Sequence, residues 1–193
     1  TTLAMSNVTD LDLTATYVAA ATAGTADSVT ATLSGVGTTS TDTTLTIADG
    51  FEVLNLQATG SASKIDDVVF SSTGGGATLN ITGDQNLTVV QALDDLKVIN
   101  AAAFTGKLSI VVSNPTEVTN PSTVDLTDVT VTGGSGDDTI DASAVSTAAR
   151  EIYIDGGAGN DLLSGGAGND VLRGNLGDDT LLGGDRECKN CNG

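Results

Sequence analysis

Residues 156–173 read GGAGNDLLS followed by GGAGNDVLR, so one nine-residue phrase occurs twice without a gap. The phrase also occurs as GGSGDDTID at 133–141 and as GNLGDDTLL at 174–182. The copies share the pattern G-G-x-G-x-D-x-U-x, where U is a large apolar residue: Ile140, Leu163, Leu172 and Leu181. A fifth copy begins at Gly183 but has Arg186 in place of the third glycine. A short fixed period of this kind predicts a stack of similar half-turns.

The glycines and the aspartate of the phrase have the chemistry of a calcium loop. Glycine permits positive φ, which turns carbonyl oxygens inward, and aspartate adds a carboxylate. Ca²⁺ prefers about six to eight such oxygen ligands. Because each nonapeptide is half a turn, we expect each loop to lie over the loop two copies away, with one ion between them. This stacking places Asp161 and Asp179 around one ion. If the insertion at 142–155 serves as a longer half-turn, it also places Asp138 and Asp161 around a second.

The loop that contains Asp170 belongs to the opposite side of the stack. There we expect the broken copy at Gly183 above it and the sequence around Asp155 below it. Neither neighbour is a complete nonapeptide. The sequence therefore predicts that a third site is half-built and weaker.

This array resembles the RTX (repeats-in-toxin) family of secreted bacterial proteins, whose nonapeptide repeats form a parallel β-roll that binds calcium. The resemblance implies that the carbonyls at positions two and four and the aspartate at position six are metal ligands. Those residues are Gly134, Gly136, Asp138, Gly157, Gly159, Asp161, Gly166, Gly168, Asp170, Asn175, Gly177 and Asp179. Asn175 departs from glycine, a change that matters little because asparagine tolerates left-handed geometry.

Before residue 133 the sequence has no strict period, but short apolar–polar–apolar triplets recur between turn-forming residues. Examples are Leu45-Thr46-Ile47, Leu79-Asn80-Ile81, Leu87-Thr88-Val89 and Leu108-Ser109-Ile110. Alternation of period two predicts strands with one buried face. We therefore expect an all-β protein, an irregular β-solenoid over 1–132 followed by a calcium-bound parallel β-roll over 133–187 and a tail at 188–193. A β-sandwich over the first region is the alternative, and only Gln91–Leu96 and Ala142–Arg150 could form a turn or two of helix.

Composition excludes several classes of function. The 193 residues carry a formal net charge of −18 with a pI near 4.1, which argues against a nucleic-acid partner. Histidine is absent, so Ser-His-Asp and Cys-His catalysis and histidine zinc sites are excluded. Cys188 and Cys191 form a lone CxxC that would need two further zinc ligands. No apolar run approaches the ~20 residues that span a bilayer, so we expect no membrane insertion.

The region before the repeats narrows the function that the resemblance implies. The phrase TLTIADGFEVLNL at 44–56 and the acidic, aromatic-poor composition look most like the RTX-bearing bacterial surface-layer proteins. We therefore expect a secreted, non-catalytic calcium-binding structural protein of the bacterial cell surface, which self-assembles into a lattice or filament. An adhesin or filament segment is one alternative, and cell-surface polysaccharide is a further candidate partner.

A calcium-dependent polysaccharide-active enzyme fragment is the second alternative, based on the acidic pairs Asp66-Asp67 and Asp94-Asp95. Such enzymes need a basic residue near the carboxylates, and residues 1–132 contain few: Lys64, Lys97 and Lys107. Acidic pairs are also ordinary turn residues. In the structural reading, these carboxylates are expected to be exposed and to share divalent ions between copies of the chain.

Overall fold

The computed structural model of the chain describes residues 2–7, 12–15, 27–37, 43–47, 51–70, 77–93, 96–113, 129–146, 150–184 and 190–192. Regular secondary structure within these ranges is entirely β-strand. In chain order the strands are β1 (Thr2–Ser6), β2 (Asp12–Ala15), β3 (Ser28–Ser34), β4 (Thr44–Ile47), β5 (Val53–Ala58), β6 (Ser63–Ile65), β7 (Asp67–Phe70), β8 (Ala77–Gly83), β9 (Leu87–Leu93), β10 (Leu96–Asn100), β11 (Leu108–Ser113), β12 (Val129–Thr132), β13 (Thr139–Ala144), β14 (Ile152–Ala158), β15 (Leu162–Ser164), β16 (Val171–Leu176), β17 (Thr180–Leu182) and β18 (Asn190–Asn192). Across the described segments, a membrane-spanning helix is not found.

All strand pairs are parallel, and they build three sheets. The first sheet has nine strands in the order β1-β3-β5-β8-β10-β12-β14-β16-β18. The second has six in the order β17-β15-β13-β11-β9-β6, and the third has three in the order β2-β4-β7. Each inner strand of a sheet thus pairs with strands one coil earlier and one coil later, which is the topology of a β-solenoid.

The core is a set of apolar ladders that run along the solenoid between its sheets. Alternate residues point inward in strands such as β8, where Ala77, Leu79 and Ile81 are buried and the residues between them are not. One ladder in the first sheet crosses seven coils in strict register: Val29, Leu54, Leu79, Ile99, Val131, Ile154 and Leu172. Every side chain in it is 0 % exposed. Burial of these ladders is the main term that stabilises the stack.

Coil length varies along the solenoid although the strands stay aligned. Asn55 and Asn80 are neighbours in adjacent coils and lie 25 residues apart in sequence, whereas Asp161 and Asp179 lie 18 apart. The additional residues of the longer coils lie between the strands that the ladders align. This explains why the first region has no fixed sequence period.

The predicted all-β solenoid with a parallel β-roll is confirmed, and the sandwich alternative is not observed, because every sheet is parallel. The helical turns considered for Gln91–Leu96 and Ala142–Arg150 are wrong where those segments are described. Residues 91–93 belong to β9 and 142–144 to β13. Both β9 and β13 pair with β11, which supplies hydrogen-bond partners for their backbone groups. This pairing outweighs the weak local preference for helix.

Candidate calcium site

The four nonapeptide loops lie at the two edges where the chain passes between the first and second sheets. Loops 133–138, 156–161 and 174–179 carry the chain from the first sheet to the second, and we call this the first edge. Loop 165–170 carries it back from β15 to β16 at the second edge. The two edges therefore hold different numbers of copies.

On the first edge the three loops stack directly on one another. Leu162, which follows loop 156–161, pairs with Thr139 below it and with Thr180 above it. The N–H of Ala158 donates to the carbonyl of Gly134 at 3.0 Å. Loop 156–161 is thus placed between the other two, as the half-turn argument expects.

The aspartate at position six connects each loop to the coil beneath it. In all four loops its Oδ1 accepts a backbone N–H from that coil: Asp138 from Leu108 at 2.8 Å, Asp161 from Asp138 at 2.8 Å, Asp179 from Asp161 at 2.9 Å and Asp170 from Ile152 at 2.9 Å. A carboxylate acceptor makes a stronger hydrogen bond than a neutral one. These aspartates therefore hold adjacent coils together through one oxygen.

The second carboxylate oxygen is without a partner at two of these positions. Oδ2 of Asp161 and Oδ2 of Asp179 are both buried and accept no hydrogen bond. Asp161 as a whole is only 2 % exposed. Leaving a buried carboxylate oxygen uncompensated is costly, so this arrangement favours a cation.

Glycine makes room around these two oxygens. A Cβ on Gly156 would lie 2.3 Å from Oδ2 of Asp161, and one on Gly174 would lie 1.9 Å from Oδ2 of Asp179. Position two of both loops also has positive φ, 106° at Gly157 and 72° at Asn175. Asn175 adopts the left-handed geometry that the sequence argument attributed to it, and its Nδ2 donates to Oδ1 of Asp155 at 2.6 Å.

The carbonyl oxygens of the predicted ligand set point from each loop towards the loop above. Gly134 O and Gly136 O lie against Gly157 and Gly159, and Gly159 O lies against Gly177. Among the described residues, no three Asp, Glu, Cys or His side chains converge as a metal cluster. A cation held here would therefore take most of its ligands from backbone carbonyls, which suits a hard ion such as Ca²⁺.

Comparison with known protein families identifies these loops. The RTX calcium-binding nonapeptide repeat matches the chain in four copies, over residues 128–144 and 154–185. The chain carries RTX repeats. RTX nonapeptide repeats bind calcium, and the residues present fit that ion. The match covers less than half of the chain, and the comparisons with curated proteins and with solved structures gave no match.

The RTX loop of the second edge, 165–170, has different surroundings. Gly166 lies over the carbonyl of Val145 and Gly168 over that of Arg150, while Gly165 N donates to Leu182 O. Ile152 N, at the start of β14, donates to Asp170, so the strand that contains Asp155 begins below this loop as expected. Asp155 itself lies further along β14 and pairs with Thr132.

Electrostatics at the first edge oppose the ionised state of the central carboxylate. Burial raises the pKa of Asp161 from 3.8 to about 6, and the negative charges of Asp138, Asp179 and Asp137 add to the rise. Burial also raises the pKa of Asp138. A bound cation would reverse this penalty by favouring the charged carboxylates.

Sequence reasoning missed the coil that lies under the RTX array. The carbonyls of Phe104 and Gly106 lie beneath Gly134 and Gly136, and Leu108 N reaches Asp138, so the turn at 101–107 has the place of a loop. Nothing in its sequence resembles a nonapeptide. The register of β11 with β13 is what reveals it.

Of the two cysteines, Cys188 lies outside the described residues.

Proposed function

We propose that this chain is a non-catalytic, calcium-binding structural protein of a bacterial cell surface, part of a surface-layer or similar extracellular assembly. The observation that carries the proposal is the pair of buried, unpartnered oxygens on Asp161 and Asp179, set in RTX repeats that continue a solenoid sheet. RTX repeat proteins are typically secreted. Extracellular calcium modules work at about 10⁻⁴–10⁻³ M ion, which suits a structural role outside the cell.

The proposed organisation distinguishes coils by what stabilises them. Residues 1–132 are a solenoid held by large apolar side chains, 133–187 a β-roll that needs calcium, and 188–193 a tail. β12 pairs with both β10 and β14, so the nine-stranded sheet crosses this boundary. Calcium bound to the roll would therefore order the end of a stack that is continuous with the rest.

A non-catalytic role is supported by the position of Asp66. Its Oδ2 accepts the N–H of Thr43 at 3.0 Å, and its Oδ1 lies 3.7 Å from Nζ of Lys64. Asp66 is only 8 % exposed and holds two coils together, so it is not placed to act on a polysaccharide. The expectation that Asp66 is exposed and shares ions between copies is wrong for the same reason. Asp94 and Asp95, the other acidic pair, lie outside the described residues.

Self-assembly is supported by apolar residues at the RTX end of the solenoid. Leu176 at the end of β16 is 73 % exposed, and Leu182 in β17 is 53 % exposed. In the described residues, β17 is the outer strand of the six-stranded sheet. An outer strand offers hydrogen-bonding groups to another chain. The same feature favours the alternative of a filament, which would arise from end-to-end contacts.

Electron microscopy of the purified chain, with millimolar calcium and with chelator, tests this proposal. Two-dimensional sheets that form only with calcium are the expected result. Filaments would favour the adhesin or filament segment. Monomeric particles at all calcium concentrations would contradict an assembly role, and hydrolysis of a surface polysaccharide by the same sample would contradict the absence of catalysis.

A further inference from the structure

The four RTX aspartates fall into two classes according to their second oxygen. Oδ2 of Asp138 accepts the N–H of Gly134 at 2.8 Å, and Oδ2 of Asp170 accepts the N–H of Gly166 at 2.8 Å. Oδ2 of Asp161 and of Asp179 is buried without a partner. We call the first pair closed aspartates and the second pair open aspartates.

The backbone at position two differs in the same way. Gly157 and Asn175, in the loops with open aspartates, have φ of 106° and 72°. Gly134 and Gly166, in the loops with closed aspartates, are both described and are not among the residues with positive φ. The closed loops therefore direct their own N–H at the aspartate, whereas the open loops do not.

The class of each loop follows from the coil beneath it. The open loops 156–161 and 174–179 each lie on another nonapeptide, 133–138 and 156–161 respectively. The closed loops lie on other sequence: Gly134 contacts the carbonyl of Phe104, and Gly166 contacts the carbonyl of Val145. All four loops obey this rule.

We infer that the chain holds two calcium ions, both on the first edge, and that Asp138 and Asp170 close their loops without metal. One ion belongs between loops 133–138 and 156–161 with the carboxylate of Asp161. The other belongs between loops 156–161 and 174–179 with that of Asp179. In each case the upper loop supplies an open aspartate and the lower loop supplies carbonyl oxygens. This inference rests on calcium binding as proposed above and assigns it to particular loops.

Asparagine substitutions separate the two classes in the full chain. In Asp161→Asn and Asp179→Asn the amide oxygen can still accept the N–H from the coil below, but the charge that faces the ion is lost. In Asp138→Asn and Asp170→Asn the amide nitrogen meets a backbone N–H, so a hydrogen bond is lost whichever way the amide is turned. The first pair therefore tests ligation, and the second pair tests loop closure.

Calorimetric titration with calcium, together with thermal unfolding across a calcium series, gives the decisive readouts. We expect two ions per wild-type chain, one ion after Asp161→Asn or Asp179→Asn, and two after Asp138→Asn or Asp170→Asn. Added calcium should raise the melting temperature of the second pair as much as that of the wild-type chain, from a lower starting value, and should raise that of the first pair less. Loss of an ion in Asp170→Asn or Asp138→Asn would overturn the inference while leaving calcium binding intact.

The wild-type ion count is a separate test if a closed-aspartate variant does not fold. Two tight ions support the inference, and three or more, or only one, overturn it. No binding by the folded wild-type chain would overturn the proposed function as well. The two proposals thus fail with different results.

Discussion

Turns on the first edge of the solenoid connect to a neighbouring coil in two different ways. In the early coils a neutral oxygen accepts the backbone N–H of the neighbouring coil: Ser63 Oγ accepts from Val36 at 3.2 Å, and Asn86 Oδ1 from Lys107 at 3.0 Å. In the RTX coils a carboxylate does so, as at Asp161 and Asp179. The geometry is similar, but a carboxylate introduces a charge that burial penalises.

The cores of the two regions differ correspondingly. Before the repeats, fully buried Phe, Leu and Ile side chains are numerous: Phe104, Leu33, Leu45, Ile47, Leu54, Leu56, Ile65, Leu79, Ile81, Leu87, Ile99, Leu108 and Ile110. The RTX coils are shorter and bury fewer of them in the described residues: Ile140, Ile152, Ile154, Leu163 and Leu172. Apolar burial can stabilise the early coils without an ion, whereas the RTX coils combine a thin core with buried charge.

Removal of calcium should give the largest difference in stability between the RTX coils and the early coils. With chelator, amide hydrogens of β15, β16 and β17 should exchange fast, because carboxylate repulsion is no longer balanced, while those of β5 and β8 stay protected. Hydrogen exchange followed by mass spectrometry measures both regions in one sample. Equal loss of protection in β8 and β16 would mean that the solenoid depends on calcium throughout.

Truncation of one core leucine in each region sharpens the contrast. Leu79→Ala and Leu163→Ala each remove a side chain that is 0 % exposed and should each cost about 2–5 kcal/mol of the free energy of unfolding of their region. Only Leu163→Ala should also raise the calcium concentration needed for folding. Denaturant titrations across a calcium series measure both effects, and a calcium shift of equal size in Leu79→Ala would contradict the comparison.

Two glycines with nearly identical strain provide a matched pair of smaller effects. Gly83 and Gly177 have φ of 116° and 135°, and a Cβ on either would lie 1.9 Å from the carbonyl oxygen of Ala58 or Gly159. Substitution by alanine should cost about 1–3 kcal/mol at each position. Gly177→Ala should weaken calcium binding, whereas Gly83→Ala should lower stability only. Calorimetry distinguishes the two, with the wild-type chain as the control.

Acidification should weaken calcium binding gradually. The pKa of Asp161 without calcium is about 6, raised from 3.8 by burial, so below pH 6 an ion must displace a proton. Affinity should then fall by about tenfold per pH unit for one displaced proton. A titration series from pH 7.5 to pH 5 measures it, and a flat profile would contradict the assignment of Asp161.

The same pKa predicts the opposite trend for the calcium-free chain. Because the pKa in the folded state lies above the unfolded value of 3.8, ionisation of Asp161 opposes folding. Its contribution is most favourable below about pH 3.8 and is lost as the pH rises through about 6. In chelator, a larger fraction of the RTX coils should therefore be folded at pH 5 than at pH 7.5, as circular dichroism can show.

Much of the fold and of the calcium site could be predicted from the sequence, because the residues that repeat are the ones whose chemistry builds the site. The nonapeptide at 156–173 repeats glycine and aspartate at fixed spacing, and this identifies a calcium roll without knowledge of any contact. Period-two alternation likewise predicts the early strands, since it reflects which face is buried. Asn175 could be assigned to a left-handed turn because that preference is local.

Tertiary structure alone decided which carboxylates remain available to an ion. Asp138 and Asp161 have the same local motif, yet one accepts two backbone N–H groups and the other leaves an oxygen unpartnered. Asp66 likewise has the sequence environment of an exposed turn but is buried against Thr43. The physical reason is that one oxygen of each RTX aspartate accepts an N–H from the coil stacked against its loop, while the other depends on the backbone that the loop adopts on that coil, as at Gly134. That coil lies from 18 residues away for Asp170 to 30 for Asp138, beyond the reach of any local pattern.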